Sequence, residues 1–166
     1  MKTLIVPTDF SPVSLNAVNY AADMAMSIDA SLILLNVYQV PVTFTEVPVV
    51  NISMEEIKRI SETKIEELKK GLEHVTSGKL KIYGESRLGD VIDEIESFSK
   101  KINPFAVVMG TKGASGIERL FLGSSTLTAI RQLTFPVIVI PPGAVFSGIK
   151  KLGFACDLNE VVETTP

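Results

Sequence analysis

The glycines and hydroxyl residues near the end of the chain carry its most specific chemistry. Gly110-Thr111-Lys112-Gly113 follows an apolar run, and after nine residues come Gly123, Ser124, Ser125 and Thr126. Glycine lets backbone N–H groups approach an anion closely. A helix opening at this second cluster adds unpaired N–H groups and the positive end of the helix dipole. Ser124, Ser125 and Thr126 add hydroxyl donors, and Lys112 and Arg119 add positive charge. Together these residues suit a phosphate cradle, although the same glycines would also serve tight turns and helix caps with no ligand at all. The pattern is not a Walker loop, because no Gly-Lys-Ser/Thr stands at the required spacing. It is not the dinucleotide fingerprint either, because the turn after the first apolar run reads Pro7-Thr8-Asp9-Phe10-Ser11, with no glycine.

Asp9 is the second candidate. A carboxylate there suits hydrogen bonds from a base or sugar, or a magnesium ion held on phosphates; the alternative is an aspartate that caps the next helix. The remaining candidates read as structural. His74 lies near the end of a charged helix, where a cation complements the dipole. Asp90, Asp93, Glu94 and Glu96 cluster at a helix start and read as a solvated face rather than a catalytic carboxylate pair. Cys156 has no histidine partner in view and is a poor nucleophile candidate. No residue offers an obvious general base, so hydrolysis by this chain is expected to be slow or absent.

These residues need elements to hold them. Leu4 to Val6, Leu32 to Val37 (but for Asn36), Phe105 to Met109 and Val137 to Ile140 are apolar, as strands covered on both faces are. Leu80 to Tyr83 is a weaker strand candidate. Helical spacing separates them: Val13 to Ile28, with Ser11 as cap and Pro12 in the first turn; Met54 to Val75; Val91 to Ile102, ended by Asn103-Pro104; and Leu127 to Leu133. Strand and helix alternate throughout, which predicts an α/β fold, a doubly wound parallel sheet with helices on both faces. Ligands of such sheets sit beyond the carboxyl ends of the strands, where strand order reverses. Pro7 to Asp9, Val37 and Met109 to Gly113 fall at such ends. The long connection from Gln39 to Ser53, apolar for a loop, reads evenly as a segment folded on its own domain or as a lid or partner surface.

Composition bounds the class. The chain has 166 residues, 46% apolar and 21% charged, which suits one compact domain with a substantial core. Its net charge of -3 argues against a nucleic-acid partner. A single cysteine excludes an internal disulfide, and a single histidine excludes multi-histidine metal sites. No apolar run approaches the roughly 20 residues of a membrane span. The start, MKTLIVPTD, meets Pro7 and Asp9 too early for a signal peptide. A cytoplasmic location away from membranes is the expectation.

Pro-Thr-Asp-x-Ser after the first strand, with Gly-x2-Gly-x9-Gly-Ser near the end, resembles the universal stress protein family, and specifically its ATP-binding branch, over residues 1–142. The resemblance implies a five-stranded parallel sheet in the order 3-2-1-4-5. It implies ATP, or ADP or AMP, as ligand, with magnesium accompanying the nucleotide. Position by position, it sets Pro7, Thr8 and Asp9 beside adenine and ribose, and Val37 where its backbone meets adenine. Met109, Gly110, Lys112 and Gly113 match the loop along ribose and phosphates. Gly123, Ser124, Ser125 and Thr126 match the phosphate-binding helix start. The family's habit of pairing through the last strand implies a two-fold homodimer through Pro136 to Ile140. A receiver domain shares the general fold but needs an acidic pair after the first strand, an aspartate after the third and a lysine after the fifth; here Thr8-Asp9, Gly84-Glu85 and Pro141-Pro142-Gly143 stand at those places, and the receiver reading fails at two of the three.

The domain is expected to span residues 1–145, with 146–166 a linker and the beginning of a second repeat. Ile149 to Asp157 lays over Met1 to Asp9 with Lys150 on Lys2, Leu152 on Leu4 and Asp157 on Asp9. That parallel suggests a tandem protein, in which the last strand would make a pseudo-dimer. The functional expectation is an ATP-binding stress-response regulatory module with the nucleotide as switch or stabiliser. Two other readings stay open: a weak ATPase or autophosphorylating enzyme, and a structural dimerisation module that binds no nucleotide.

Overall fold

The structure, a computed structural model, describes residues 2–39, 53–111 and 123–153. Strand and helix alternate as β1 (Lys2–Pro7), α1 (Pro12–Ile28), β2 (Ala30–Tyr38), α2 (Met54–Val75), β3 (Ile82–Leu88), α3 (Val91–Ile102), β4 (Ala106–Gly110), α4 (Ser124–Gln132) and β5 (Val137–Ile140). The strands form one parallel sheet in the order β3-β2-β1-β4-β5.

Strand alternation sorts the core into two layers. Leu4, Val6, Leu32, Leu34, Ala106 and Val108 point to the face covered by α1 and α2, where Ala17, Ala21, Ile65 and Leu72 meet them. Ile5, Ile33, Leu35, Val107 and Met109 point to the other face, against Ile92, Ile95 and Phe98 of α3 and Ala129 of α4. Burial on both faces explains why the central runs of these strands are almost wholly apolar.

The third strand differs from the expected span of 80–83, for it runs from Ile82 to Leu88 and includes Glu85 and Arg87. It lies at the sheet edge and pairs only with β2, so its polar residues reach solvent. Leu80 is buried core just ahead of the strand. At Gly84 a Cβ would collide with Ile65 of α2, so the lack of a side chain lets the helix lie close on this edge.

Local chemistry sets the helix ends. Ser11 caps α1, with Pro12 in its first turn. Ser53 caps α2 by accepting from the Glu56 N–H at 3.2 Å. Asp90 caps α3 by accepting from the Ile92 N–H at 2.9 Å. Asp29 and Asn103 close α1 and α3 in the left-handed conformation. After β5 the chain turns back over α1: Asn16 Nδ2 donates to the Pro141 carbonyl at 3.1 Å, and Phe146 meets Tyr20 edge to face at 5.3 Å. The 40–52 connection, Lys112, Gly113, Arg119 and Cys156 lie outside the described residues, as does the Phe154–Asp157 part of the repeat-like segment. Among the described residues no helix is long and apolar enough to cross a membrane.

Candidate functional site

Strand order reverses between β1 and β4, and a cavity of about 310 Å³ lies there. Its walls come from strand ends and helix starts. Pro7, Thr8 and Asp9 follow β1, Leu35 and Val37 come from β2, and Met109 and Gly110 from β4. Ser14 of α1, Val91 of α3, Gly123, and Ser124, Ser125 and Thr126 of α4 complete it. The structure therefore brings together every described residue of the expected nucleotide site: Pro7, Thr8, Asp9, Val37, Met109, Gly110, Gly123, Ser124, Ser125 and Thr126.

Ser14, Leu35 and Val91 were not anticipated. Leu35 was legible, because it precedes Val37 by two residues and so shares its face of the strand. Val91 follows from topology, since α3 begins at the same end of the sheet as the strand tips. Ser14 carried no signal beyond standing three residues after a capping serine.

The cavity has two characters. Pro7, Leu35, Val37, Val91 and Met109 form an apolar slot. Parallel pairing of β1 with β2 stops at Pro7–Leu35, and the Thr8 N–H makes the last cross-strand bond, to the Leu35 carbonyl at 2.8 Å. Backbone groups alternate direction along a strand, so the Val37 N–H and carbonyl lie on the side where β1 has ended, beside the slot.

The opposite end is polar. There α4 begins at Gly123, and unlike α1, α2 and α3 it has no side-chain cap among the described residues. Gly123 has φ −59° and ψ 153°, a conformation open to any residue, so no backbone strain calls for glycine there. The Ser124 and Ser125 side chains are exposed, whereas Thr126 is buried and its hydroxyl donates to the Gly110 carbonyl at 2.9 Å. Thr126 thus ties α4 to the end of β4. The Gly123 N–H bonds the Thr111 carbonyl, which brings the two glycine clusters together.

At β1 the roles divide similarly. Thr8 is buried with all its polar atoms engaged inside the protein. Asp9 is exposed at the cavity lip, and its Oδ1 accepts from the Ser11 N–H at 3.0 Å. The carboxylate therefore steadies the turn into α1 while it faces the cavity. The acidic group at α3 is a solvated face only in part, with Asp90 and Asp93 exposed and Glu94 and Glu96 half-buried. Asp90 caps the helix, Glu94 pairs with Arg87, and Glu96 accepts from the Thr134 hydroxyl at 3.0 Å and meets Lys100 at 3.1 Å. Glu94 and Glu96 find these partners because β3 and the turn after α4 lie beside α3. His74 is exposed in the last turn of α2, as expected.

The family model of the universal stress protein family matches residues 1–141. A universal stress protein of Methanocaldococcus jannaschii is 34% identical over 140 residues, covering 84% of this chain and 81% of its own. The chain belongs to the universal stress protein family. Solved structures share the fold. A universal stress protein in complex with cAMP superposes with a TM-score of 0.63 at 21% identity, covering 85% of this chain and 97% of its own. An Arabidopsis thaliana universal stress protein family protein with AMP bound gives 0.55 at 16% identity, covering 87% and 94%.

Proposed function

We propose that this universal stress protein is an adenine-nucleotide-binding regulatory module, with ATP, ADP or AMP as ligand. The observation that carries the reading is the two-sided cavity: an apolar slot edged by free strand backbone at one end, and an uncapped helix start with two serines at the other. A nucleotide has the matching halves, a flat base with hydrogen-bonding edges and an anionic phosphate chain. In this reading Pro7, Val37 and Met109 hold the base, and Asp9 meets ribose or a magnesium ion on the phosphates. The phosphates lie on Gly110, Lys112, Gly113 and Gly123 to Thr126. The cAMP and AMP complexes of the structural relatives support the choice of adenine nucleotides.

The nucleotide serves as switch or stabiliser in a cytoplasmic protein. Calorimetry with ATP, ADP and AMP, with and without magnesium, tests this; no heat with any of them would leave a dimerisation module as the better description. The exposed Ser124 and Ser125 hydroxyls at the polar end favour, as second reading, slow hydrolysis or self-phosphorylation. Turnover faster than about 1 per second in a phosphate-release assay would make the protein an ordinary enzyme and displace the regulatory reading. Gly123→Val fills the approach to the phosphates and should abolish binding; unchanged affinity would refute the cradle.

In this reading the domain spans residues 1–145, and we propose that 146–166 is a linker and the beginning of a second repeat. Sequencing the reading frame past Pro166 decides the last point, since a stop codon there would end the tandem reading.

A further inference from the structure

We propose that a chain of hydrogen bonds, buried at Thr8, Asn36 and Ser61 and ending on the half-buried Ser86, positions the floor of the cavity and couples its occupancy to α2, a helix that lines no part of it. The inference rests on the nucleotide reading of the cavity.

Thr8 is a hub rather than a ligand donor. Its N–H bonds the Leu35 carbonyl, and its hydroxyl accepts from the Phe10 N–H at 3.0 Å and lies 3.0 Å from the Ser14 hydroxyl. Its carbonyl accepts from Asn36 Nδ2 at 2.7 Å. Asn36 Oδ1 in turn accepts from the Ser61 hydroxyl at 2.6 Å, and Ser61 lies 2.9 Å from the Ser86 hydroxyl. The Asn36 amide has one orientation, because turning it over would set its oxygen against the Thr8 carbonyl.

Burial makes the chain stiff. Thr8, Asn36 and Ser61 are 5%, 7% and 4% exposed, so water offers no substitute partner for a broken bond. Ser61 is also out of place by hydropathy. It lies on the inner face of α2 that Ile65 and Leu72 continue, where an apolar residue would pack. Its hydroxyl instead reaches Asn36, between the cavity residues Leu35 and Val37 of β2, and Ser86 of the neighbouring edge strand. A ligand lying on Pro7 to Asp9 narrows the motion of the Thr8 backbone. Through Asn36 that narrowing reaches Ser61 and lowers the local opening of α2.

Hydrogen exchange of the full chain with and without saturating ATP tests the coupling, at short labelling times where local opening dominates, with binding followed by calorimetry. The wild-type α2 amides around Ser61 should slow by about threefold or more on binding. In Ser61→Ala, ATP still binds and the amides of Gly110 and Ser124 to Thr126 still slow, but the α2 response is lost; Ser61→Thr restores it. Asn36→Asp keeps the acceptor for Ser61 and removes the donor to Thr8, so it cuts the chain at the other end and gives the same loss. It decides the matter if Ser61→Ala fails to fold. A purely structural role predicts lower stability in both variants with the α2 response intact, and that result would overturn the proposal. So would a wild type that binds ATP with no slowing in α2. A wild type that binds no adenine nucleotide overturns the nucleotide reading itself, and calorimetry alone shows which of the two has failed.

Discussion

Gly110 shows how one residue serves both packing and site. A Cβ there would lie 2.8 Å from Val13 Cγ1 and 2.9 Å from the Val13 carbonyl oxygen, so the first turn of α1 rests directly on the end of β4. Gly110→Ala should push that turn outward, carrying Ser11 and Ser14 with it. Overpacking of this kind costs about 1–3 kcal/mol, and urea unfolding should show that loss together with weaker AMP binding. Thr126 makes the complementary contact, from α4 to the Gly110 carbonyl. Thr126→Val keeps the shape and removes the donor; the same unfolding assay should show a loss of about 1 kcal/mol.

At the scale of elements, the helices around the cavity are held by their ends. Ser11 accepts from the Ser14 N–H at 3.3 Å, and Ser11→Ala should lower the stability of the domain by about 1 kcal/mol in thermal unfolding. Glu96 joins α3 to the turn after α4. Desolvation acts to raise its pKa, but the bonds from Lys100 and Thr134 outweigh it and hold the carboxyl below its ordinary value of 4.5. A carboxyl whose pKa is lower folded than unfolded adds stability above the unfolded value and loses it as the pH falls through the folded one. Wild type should therefore be more stable than Glu96→Gln at neutral pH, and the gap should close on acidification below the ordinary carboxylate range. A gap that stays constant in melts across that range would show that the ion pair contributes nothing.

For the whole molecule, the exposed edge of β5 matters most. Among the described residues β5 pairs only with β4, and Val137, Ile138 and Val139 are half-buried although all are apolar. An apolar edge with unpaired backbone groups invites a second strand, and two copies meeting edge to edge satisfy both. Light scattering at micromolar concentration should report a dimer, and Val139→Lys should yield a monomer that keeps its nucleotide affinity. A wild-type monomer would argue against pairing through this strand.

Much of the fold was legible because periodicity reports burial. The runs at Leu4, Leu32, Phe105 and Val137 are apolar on both faces, and only a sheet covered on both sides demands that. β3 was misplaced because an edge strand needs little apolar character, so Tyr83 to Arg87 left no such mark. The strand ends named most of the cavity wall in advance, since topology places ligands there whatever the side chains. Sequence alone therefore determined the strand and helix order, the family and most of the positions that face the cavity, though not Ser14, Leu35 or Val91. Tertiary structure decided how each polar group is used: Thr126 donates to Gly110, Glu94 pairs with Arg87, and Thr8, Asn36 and Ser61 join into one buried chain. Hydrogen bonds between residues far apart in sequence leave no periodic trace, and only the folded chain brings such partners within reach.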